Sequence, residues 1–391
     1  MPVLEDGGLG KRIAALRKAR RMYQSHLARE SYLSLPTIKA IEQGKRQPSD
    51  SALESIATAL GVDPTRLLST FTGTETRVHA ALPAISTSLA AYDVPISPAS
   101  RNTAELHAAV SDAVNWRLAA QYGRIAHHAA DLLDDALAHF HATTDKREAA
   151  RLLVATARSV DAVAYKYGAR DLSARLIELM RWAAPHTEDL LVSASVAYVR
   201  TEVFFTARAH TAGTHALEAA VDAAPAATDA NTAAARGALH MRAAVIAGRA
   251  GDPDTAETHL AEARRLSDGT RETTYLGTAF GPESVRIHEL SVAVSLGQEH
   301  IDRAFTVARE WAPSTDLPAE RRSGFWIELA RAQVWGGRFD DAFESLKVAR
   351  SIAPQHTREH PWARDTTATL ERVKRTDEES LHHFAVWVGA V

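Results

Sequence analysis

The sequence predicts an all-α protein with two parts, a five-helix N-terminal domain and a longer αα-hairpin solenoid. Its 391 residues are 46% hydrophobic and 24% charged, which is an ordinary globular composition. Alanine is abundant and asparagine rare, which favours helix along most of the chain. Near the N-terminus, apolar residues recur at helical spacing in short segments separated by turn residues. Further along, a glycine-marked turn followed by alanine recurs several times, as in helical repeats.

The N-terminal domain begins with three predicted helices. The first, Leu9–Arg21, has apolar residues on one face and basic residues around them. The second and third, Gln24–Glu30 and Leu35–Glu42, are joined by a tight turn, and Ser34 is a good N-cap for the third. Pro36 is acceptable there because backbone N–H groups in the first turn of a helix have no helical partner.

The rest of this domain completes a compact bundle. Gly44 is expected to end the third helix and to lead into a basic loop. A fourth helix is predicted over Ser51–Leu60, and a short fifth one over Asp63–Leu68. Two short helices joined by a tight turn within such a bundle have the form of a helix-turn-helix unit.

The residue pattern of this domain resembles the XRE (Cro/C1-type) helix-turn-helix family. The resemblance rests on the following residues: Leu16-Arg17-Lys18-Ala19-Arg20, Gln24, Leu27-Ala28, Ser34, Thr37-Ile38, Ile41-Glu42, Gly44-Lys45, Pro48 and Leu60-Gly61-Val62. It covers the whole domain. It implies a transcription regulator that binds a double-stranded DNA operator, and a salt bridge between Arg17 and Glu42 that joins the first and third helices.

In this architecture the N-terminal part of the third helix enters the major groove. Lys39 could donate to guanine, and Thr37 could bond several base groups. Leu35 and Pro36 offer only apolar contact, for example to a thymine methyl. The predicted reading face is therefore poor in hydrogen-bonding groups, and DNA shape is expected to contribute to specificity.

Other residues are expected to contact the DNA backbone. By the resemblance, Gln24 lies at the start of the second helix, where backbone N–H groups favour phosphate. Lys45 and Arg46 follow the third helix and are expected to hold phosphate as well. The complete predicted DNA-binding set is Gln24, Ser34, Leu35, Pro36, Thr37, Lys39, Lys45 and Arg46.

Charge is distributed in the way this division implies. Residues 1–72 contain 11 Lys and Arg against 7 Asp and Glu, a net +4, so that the remainder, with 34 against 41, carries −7. A basic head on an acidic body is expected when only the head meets phosphate. The predicted domains are residues 1–70 for DNA binding, 71–102 for a linker with one helix, and 103–391 for the helical repeats.

The repeats are recognised by turns and alanines. Glycine-marked turns occur at 167–174, 250–256, 296–304 and 336–342, with a degenerate copy at 209–225. The anchoring alanines 174, 216, 256, 304 and 342 are 42, 40, 48 and 38 residues apart. Glycine permits the turn and alanine permits close packing, while each hairpin must stack on a neighbour to bury its apolar face. Residues 103–142 are expected to form a sixth pair, and 361–391 capping helices.

The repeats resemble tetratricopeptide repeats with a longer period. Joined to an XRE head, they resemble a large group of actinobacterial regulators and, more loosely, peptide-sensing regulators with the same two domains. The implied body forms a homodimer and senses an effector, which is a small molecule, a peptide or a protein partner. The alternative is a protein–protein interaction scaffold with secondary DNA binding.

The concave face of such a body is expected to hold the effector, lined by residues of the first helix of each pair. Asparagine, which clamps the ligand backbone in peptide-sensing relatives, occurs only at 102, 115 and 231, so a peptide is less favoured. The predicted ligand-binding residues are Tyr198, Arg200, His240, Arg242, His288, Trp326 and Arg331.

Several other functions find no support in the sequence. The chain has no cysteine and lacks a phosphate loop, an HExxH motif and a GxSxG motif, so neither an enzyme nor a cofactor is predicted. His128, Asp131, Asp135 and His139 share one helical face, but one helix seldom supplies a closed set of ligands, so no metal site is predicted.

The termini and hydropathy predict the compartment. The start of the chain lacks the features of a signal peptide, and no apolar run approaches the roughly 20 residues of a membrane helix. A cytoplasmic protein without membrane contact is therefore predicted. Gly7-Gly8-Leu9-Gly10 is expected to be a flexible tail rather than a nucleotide-binding loop.

Overall fold

A computed structural model describes residues 9–20, 22–46, 48–62, 67, 73–94, 98–309, 311–373 and 379–391. The chain divides into two compact units, residues 1–73 and 74–391. Both units are helical, with one short β-hairpin in the described part of the second unit. The predicted all-α fold class, a helix-turn-helix domain followed by stacked helical hairpins, is confirmed.

The first unit contains four described helices within two residues of the predicted bounds. They are α1 (Leu9–Ala19), α2 (Gln24–Glu30), α3 (Leu35–Glu42) and α4 (Asp50–Ala59). Of the predicted fifth helix only Leu67 is described. The core consists of apolar side chains from all four helices, each stabilising the fold by about 1.5–3 kcal/mol when fully buried. The fully buried large members are Ile13, Leu27, Ile38, Ile41, Ile56, Leu60 and Leu67.

Leu9 and Gly10 begin α1, so the expectation that these two residues belong to a flexible tail is wrong. A Cβ atom at Gly10 would lie 2.0 Å from the carbonyl oxygen of Ile41. Glycine therefore lets α1 pack directly against the backbone of α3. The other residues of the predicted tail, Gly7 and Gly8, lie outside the described residues.

The second unit is a succession of helical pairs. Its helices are α5 (Gly73–Ala90), α6 (Thr103–Leu118), α7 (Tyr122–Ala142), α8 (Lys146–Lys166), α9 (Arg170–Ala183), α10 (Leu190–Ala207), α11 (His210–Ala223), α12 (Ala230–Ala250), α13 (Pro253–Ser267), α14 (Pro282–Leu296), α15 (Ile301–Ala308), α16 (Ala319–Trp335), α17 (Phe339–Ile352), α18 (Pro354–Glu359), α19 (Pro361–Val373) and α20 (Glu379–Val388). Pairs form between α6 and α7, and so on through α16 and α17, and together bury a core rich in alanine and leucine. The predicted repeat of αα-hairpins is present.

The turns within these pairs explain the glycine pattern. Gly168, Gly251 and Gly337 each adopt a positive φ of 71–77° between the two helices of a pair. Glycine takes this conformation without the Cβ clash that other residues suffer. In the degenerate copy Arg208 adopts φ 54° instead, which is why its sequence signal is weaker.

A two-stranded β-hairpin interrupts the helices and was not predicted. Strands β1 (Thr273–Tyr275) and β2 (Thr278–Phe280) pair antiparallel, and Leu276 and Gly277 form the turn with φ of 44° and 75°. Two positive φ values define the type I′ turn that suits short hairpins. The signal was the run of threonine and aromatic residues around one glycine, which a helical reading of the repeats concealed.

The segment between the predicted domains is partly described. Helix α5 packs Ile85 and Leu89 into the core of the second unit. Of the predicted linker at 71–102, residues 71–72 and 95–97 lie outside the described residues.

Among the described helices, α10 is long and apolar enough to span a membrane by length and composition alone, with a mean hydropathy of 1.3. It is a helix of the repeat, and Val196, Tyr198 and Val199 are buried against its neighbours.

Candidate functional site

A buried ion pair fixes the geometry of the helix-turn-helix. The Arg17 guanidinium donates to both carboxylate oxygens of Glu42, at 2.7 and 3.0 Å, and to the carbonyl of Met22 at 2.7 Å. The hydrogen bond to Glu42 raises the pKa of Arg17. Gln24 Nε2 also donates to Glu42, at 2.7 Å, so one carboxylate joins α1, α2 and α3. The salt bridge implied by the family resemblance is confirmed. The Gln24 side chain is engaged with Glu42.

Ser34 caps α3 as expected. Its hydroxyl accepts from the backbone N–H of Thr37 at 3.3 Å and lies 2.8 Å from the Thr37 hydroxyl. The Thr37 side chain is therefore partly committed to this cap. Leu35 is half-buried and packs on the core of the unit, so it offers less surface than its position suggests.

The exposed face of α3 is formed by Pro36, Lys39 and Gln43, which follow one another at intervals of three and four residues. Gln43, the C-cap residue of α3, was missed by the sequence analysis. Its amide can both donate and accept, so it adds hydrogen-bonding capacity to a face that otherwise has only Lys39.

The basic loop after α3 is held by its backbone. The N–H groups of Lys45 and Arg46 both donate to the carbonyl of Ala40, at 2.9 and 3.3 Å, and both side chains are exposed. Two cationic side chains thus project from a fixed backbone next to the exposed face of α3.

Two exposed tyrosines lie at the ends of α2 and were not among the predicted DNA-binding residues. Tyr23 is the N-cap residue and 80% exposed, and Tyr32 lies in the turn and is 95% exposed. Tyr32 adopts φ 54°, a region unfavourable for a residue with a side chain. The sequence places a tyrosine in the tight turn after α2, where glycine would be more stable. This unusual residue choice could have identified Tyr32.

A cavity of about 760 Å³ lies within the second unit. The first helices of successive pairs form its wall. In α10, for example, Tyr198, Glu202 and Phe205 recur at about one helical turn and line the cavity. The hairpin turn and helices α18 and α19 complete the lining.

Three of the seven predicted ligand-binding residues line this cavity: Tyr198, Arg242 and His288. Arg200 and His240 lie two positions from Tyr198 and Arg242, or about 200° around their helices, and point elsewhere. The guanidinium of Arg200 lies over the Phe204 ring.

Like Arg200, the predicted residues His240, Trp326 and Arg331 are not in the lining, and each contacts a neighbouring side chain. His240 Nδ1 lies 2.9 Å from His259 Nδ1, Trp326 packs against Phe325, and the Arg331 guanidinium lies over the Trp362 ring. The wider ligand site stays a prediction.

Several charges in the cavity compensate one another. Lys166 Nζ lies 2.6 Å from Glu320 Oε1, and although burial alone would raise the pKa of Glu320, Lys166 lowers it. Burial and the neighbouring Glu202 raise the pKa of Asp161 well above its usual range. Arg364 pairs with Glu359 at 2.8 Å.

Three arginines surround the side chain of Tyr198, which is 5% exposed. Arg321 Nη2 donates to the phenol oxygen at 3.1 Å, and the guanidinium carbons of Arg242 and Arg158 lie 4.4 and 5.9 Å from the ring centroid. Burial would raise the pKa of Tyr198, but Arg242, Arg321 and Arg158 lower it to about 8. We refer to Tyr198, Arg158, Arg242 and Arg321 as the Tyr198 cluster.

His288 extends the Tyr198 cluster as a neutral group. Burial, and then Arg321, lower the pKa of His288 well below its usual range. Its Nδ1 lies 2.7 Å from the carbonyl of Ser284, so Nδ1–H donates there and Nε2 accepts from Arg321 Nη1 at 3.0 Å.

The hairpin turn is anchored by two arginines of the cavity wall. Arg158 donates to the carbonyl of Leu276 and to the Thr278 hydroxyl, both at 2.6 Å, and Arg117 donates to the carbonyl of Gly277 at 3.0 Å. The type I′ turn directs these carbonyls at the arginines, so the turn forms part of the cavity wall.

The first unit is similar to known helix-turn-helix proteins. Residues 9–68 match a helix-turn-helix domain family. Over 70 residues the chain is 39% identical to the immunity repressor protein of Bacillus phage phi105, and this alignment covers 18% of the chain and 46% of the repressor. The chain thus spans less than half the length of the curated relative it matches.

Among solved structures, the chain is similar to Bacillus thuringiensis PlcR in complex with the peptide PapR7 and DNA, with 12% identity over 67% of this chain and 95% of that chain, and a TM-score of 0.29. It is also similar to the apo form of the competence regulator ComR from Streptococcus vestibularis, with 13% identity over 98% and 99% of the two chains, and a TM-score of 0.27.

Proposed function

We propose that this protein is a sequence-specific DNA-binding transcription regulator whose helical second unit binds an effector. The observation that carries the proposal is the first unit, a helix-turn-helix that a buried Arg17–Glu42–Gln24 network holds in one geometry. It presents α3 with Lys39 and Gln43 exposed. An exposed helix at this position of the motif is suited to the major groove.

In this proposal the DNA contacts divide into two kinds. Lys39 and Gln43 hydrogen-bond to base edges, while Pro36 gives apolar contact to a thymine methyl. Lys45, Arg46, the backbone N–H of Gln24 and the two exposed tyrosines contact phosphate and set the register. A homodimer binding two half-sites would supply the remaining specificity.

The experiment is a mobility-shift titration of the full chain against the DNA upstream of its own gene and against an unrelated duplex. We expect a specific shift. Lys45→Ala should weaken binding to both duplexes alike and reduce the slope of log affinity against log salt by about 1. Lys39→Ala should instead reduce the preference between the two.

Lys347→Ala is the matched control, since this lysine pairs with Glu344 on an exposed face of the second unit. It should change neither the affinity nor the preference. A titration without a sequence-specific shift for any upstream fragment would contradict the proposal. An unchanged preference in Lys39→Ala would remove its base-reading role.

A further inference from the structure

The three arginines of the Tyr198 cluster lack a carboxylate partner within ion-pair distance in the described part of the chain. Arg158, Arg242 and Arg321 form no ion pair with a carboxylate of the described chain; their partners there are hydroxyls, carbonyls, a neutral histidine and aromatic rings. By contrast, the nearby Lys166 and Arg364 each have a carboxylate partner. The wall around Tyr198 therefore holds guanidinium groups without a carboxylate partner among the described residues.

These guanidinium groups also have unused hydrogen-bonding capacity. An arginine has five N–H donors in a planar fork. Within the described residues, the buried Nε of Arg242 and that of Arg117 have no hydrogen-bond partner. Arg158 is 8% exposed, and burial, and next the neighbouring Arg117, lower its pKa to about 9. A buried arginine in this state gains from an anion that can accept its N–H groups.

The cavity has the size and the walls for an organic molecule. A volume of about 760 Å³ lies in the range of sites for small-molecule ligands. Next to the Tyr198 cluster, the Arg249 guanidinium lies over the Phe205 and Trp362 rings, with its central carbon 4.2 and 5.4 Å from the two centroids. Such a wall packs against a flat apolar or aromatic group.

We propose that this cavity binds a small organic anion, an aromatic or apolar body bearing a carboxylate or phosphate group that the arginines of the Tyr198 cluster hold. Carboxylate and phosphate groups both accept paired N–H groups from the planar guanidinium fork. The proposal rests on the proposed function, because it names the chemical class of the effector of that regulator. The binding itself requires no DNA.

The test is a fluorescence titration of the full chain with two probes that differ in one charged group, anilinonaphthalene sulfonate and the neutral N-phenylnaphthylamine. We expect the sulfonate to bind at one saturable site. Arg242→Gln and Arg321→Gln should each weaken it about ten-fold or more, because each removes a charge-assisted hydrogen bond. Binding of the neutral probe should change little.

Arg265→Gln is the control, because this arginine is 66% exposed and pairs with Glu262 of its own helix. It should leave both probes unaffected. Sulfonate binding that is insensitive to Arg242→Gln and Arg321→Gln, or equal losses for both probes, would overturn the proposal.

Competition separates the two anion sources: displacement by inorganic pyrophosphate assigns phosphate, and displacement by phthalate assigns carboxylate. Displacement by neither at millimolar concentration would overturn it.

A second readout uses unaltered arginines, in case those variants do not fold. Tyrosine ionisation is followed by absorbance, and the transition missing in Tyr198→Phe belongs to Tyr198. Bound phthalate or pyrophosphate places negative charge beside the phenol and should raise the pH of that transition. A transition unmoved by both anions would overturn the proposal. Since neither experiment contains DNA, their failure would leave the mobility-shift result intact.

Discussion

Arg17 in the first unit and Arg158 in the second are both 8% exposed, yet their surroundings differ. Arg17 donates to a carboxylate through two nitrogens, and this raises its pKa. Arg158 donates only to neutral oxygens, from Ser195, Leu276 and Thr278, and its pKa is lowered to about 9. Arg17 has its carboxylate partner within the fold, whereas Arg158 has no ion-pair partner among the described residues.

This difference separates two uses of a buried cation. A complete pair such as Arg17–Glu42 orients helices, because removing either partner leaves the other charge unsatisfied. A buried arginine without a carboxylate partner, such as Arg158, is suited to binding an anionic ligand. Burial alone does not distinguish the two uses, whereas the identity of the partner atoms does.

The largest effect is expected for Arg17→Met. It leaves Glu42 buried without its cation, which should lower the free energy of unfolding of the first unit by about 3–5 kcal/mol. The loss is measured by proteolysis within the first unit across a urea series. The second unit is followed separately by tryptophan fluorescence, since all seven tryptophans lie in residues 116–387. Arg29→Met, at a side chain 74% exposed, is the control and should be nearly neutral. A loss below about 1 kcal/mol would remove the contrast with Arg158.

The next effect depends on pH. The folded pKa of Tyr198, about 8, is below its ordinary value of 10.0, so ionisation stabilises the fold as pH rises between these values, and this stability is lost as pH falls through 8. Relative to Tyr198→Phe, the wild type should gain about 2 kcal/mol between about pH 7 and 10. Urea unfolding followed by tryptophan fluorescence measures it. Equal pH dependence in both proteins would show that Arg158, Arg242 and Arg321 do not act on this phenol.

A smaller effect on stability is expected at Tyr32. The fold of the first unit does not require this residue, just as the fold of the second unit does not require Arg158. Tyr32→Gly relieves the positive φ and should raise the stability of the first unit by about 0.5–1 kcal/mol. DNA affinity should fall, because a phosphate contact is lost. Tyr32→Asn tolerates the same backbone region and controls for glycine flexibility. Unchanged DNA affinity in both variants would exclude Tyr32 from the interface.

The smallest effect is expected for Arg158→Met, the counterpart of the first variant. Removing a charge without a counter-charge relieves its desolvation, and water in the cavity can hydrate the released carbonyl and hydroxyls. The stability of the second unit should change by less than about 1 kcal/mol, while binding of anilinonaphthalene sulfonate should weaken. A loss as large as that of Arg17→Met would mean that Arg158 mainly anchors the hairpin, and the comparison would fail.

The sequence by itself determined the local elements. The helices of the first unit, the Ser34 cap and the glycine turns of the repeats depend on neighbouring residues, so that periodicity and capping chemistry predict them within a few positions. The Arg17–Glu42 pair was accessible through a family resemblance. Gln43 was accessible in principle, since it shares the spacing of Pro36 and Lys39.

Only the tertiary structure decided which residues surround the cavity. Arg117 and Arg321 lie about two hundred positions apart in the chain and contact the same space because successive hairpins stack. Helical period could have added Glu202 to Tyr198 and excluded Arg200, but no local signal distinguishes the unpaired Arg158 from a paired arginine. Whether a buried charge has its partner depends on residues brought together from distant helices, and stacking, rather than any segment, sets that distance.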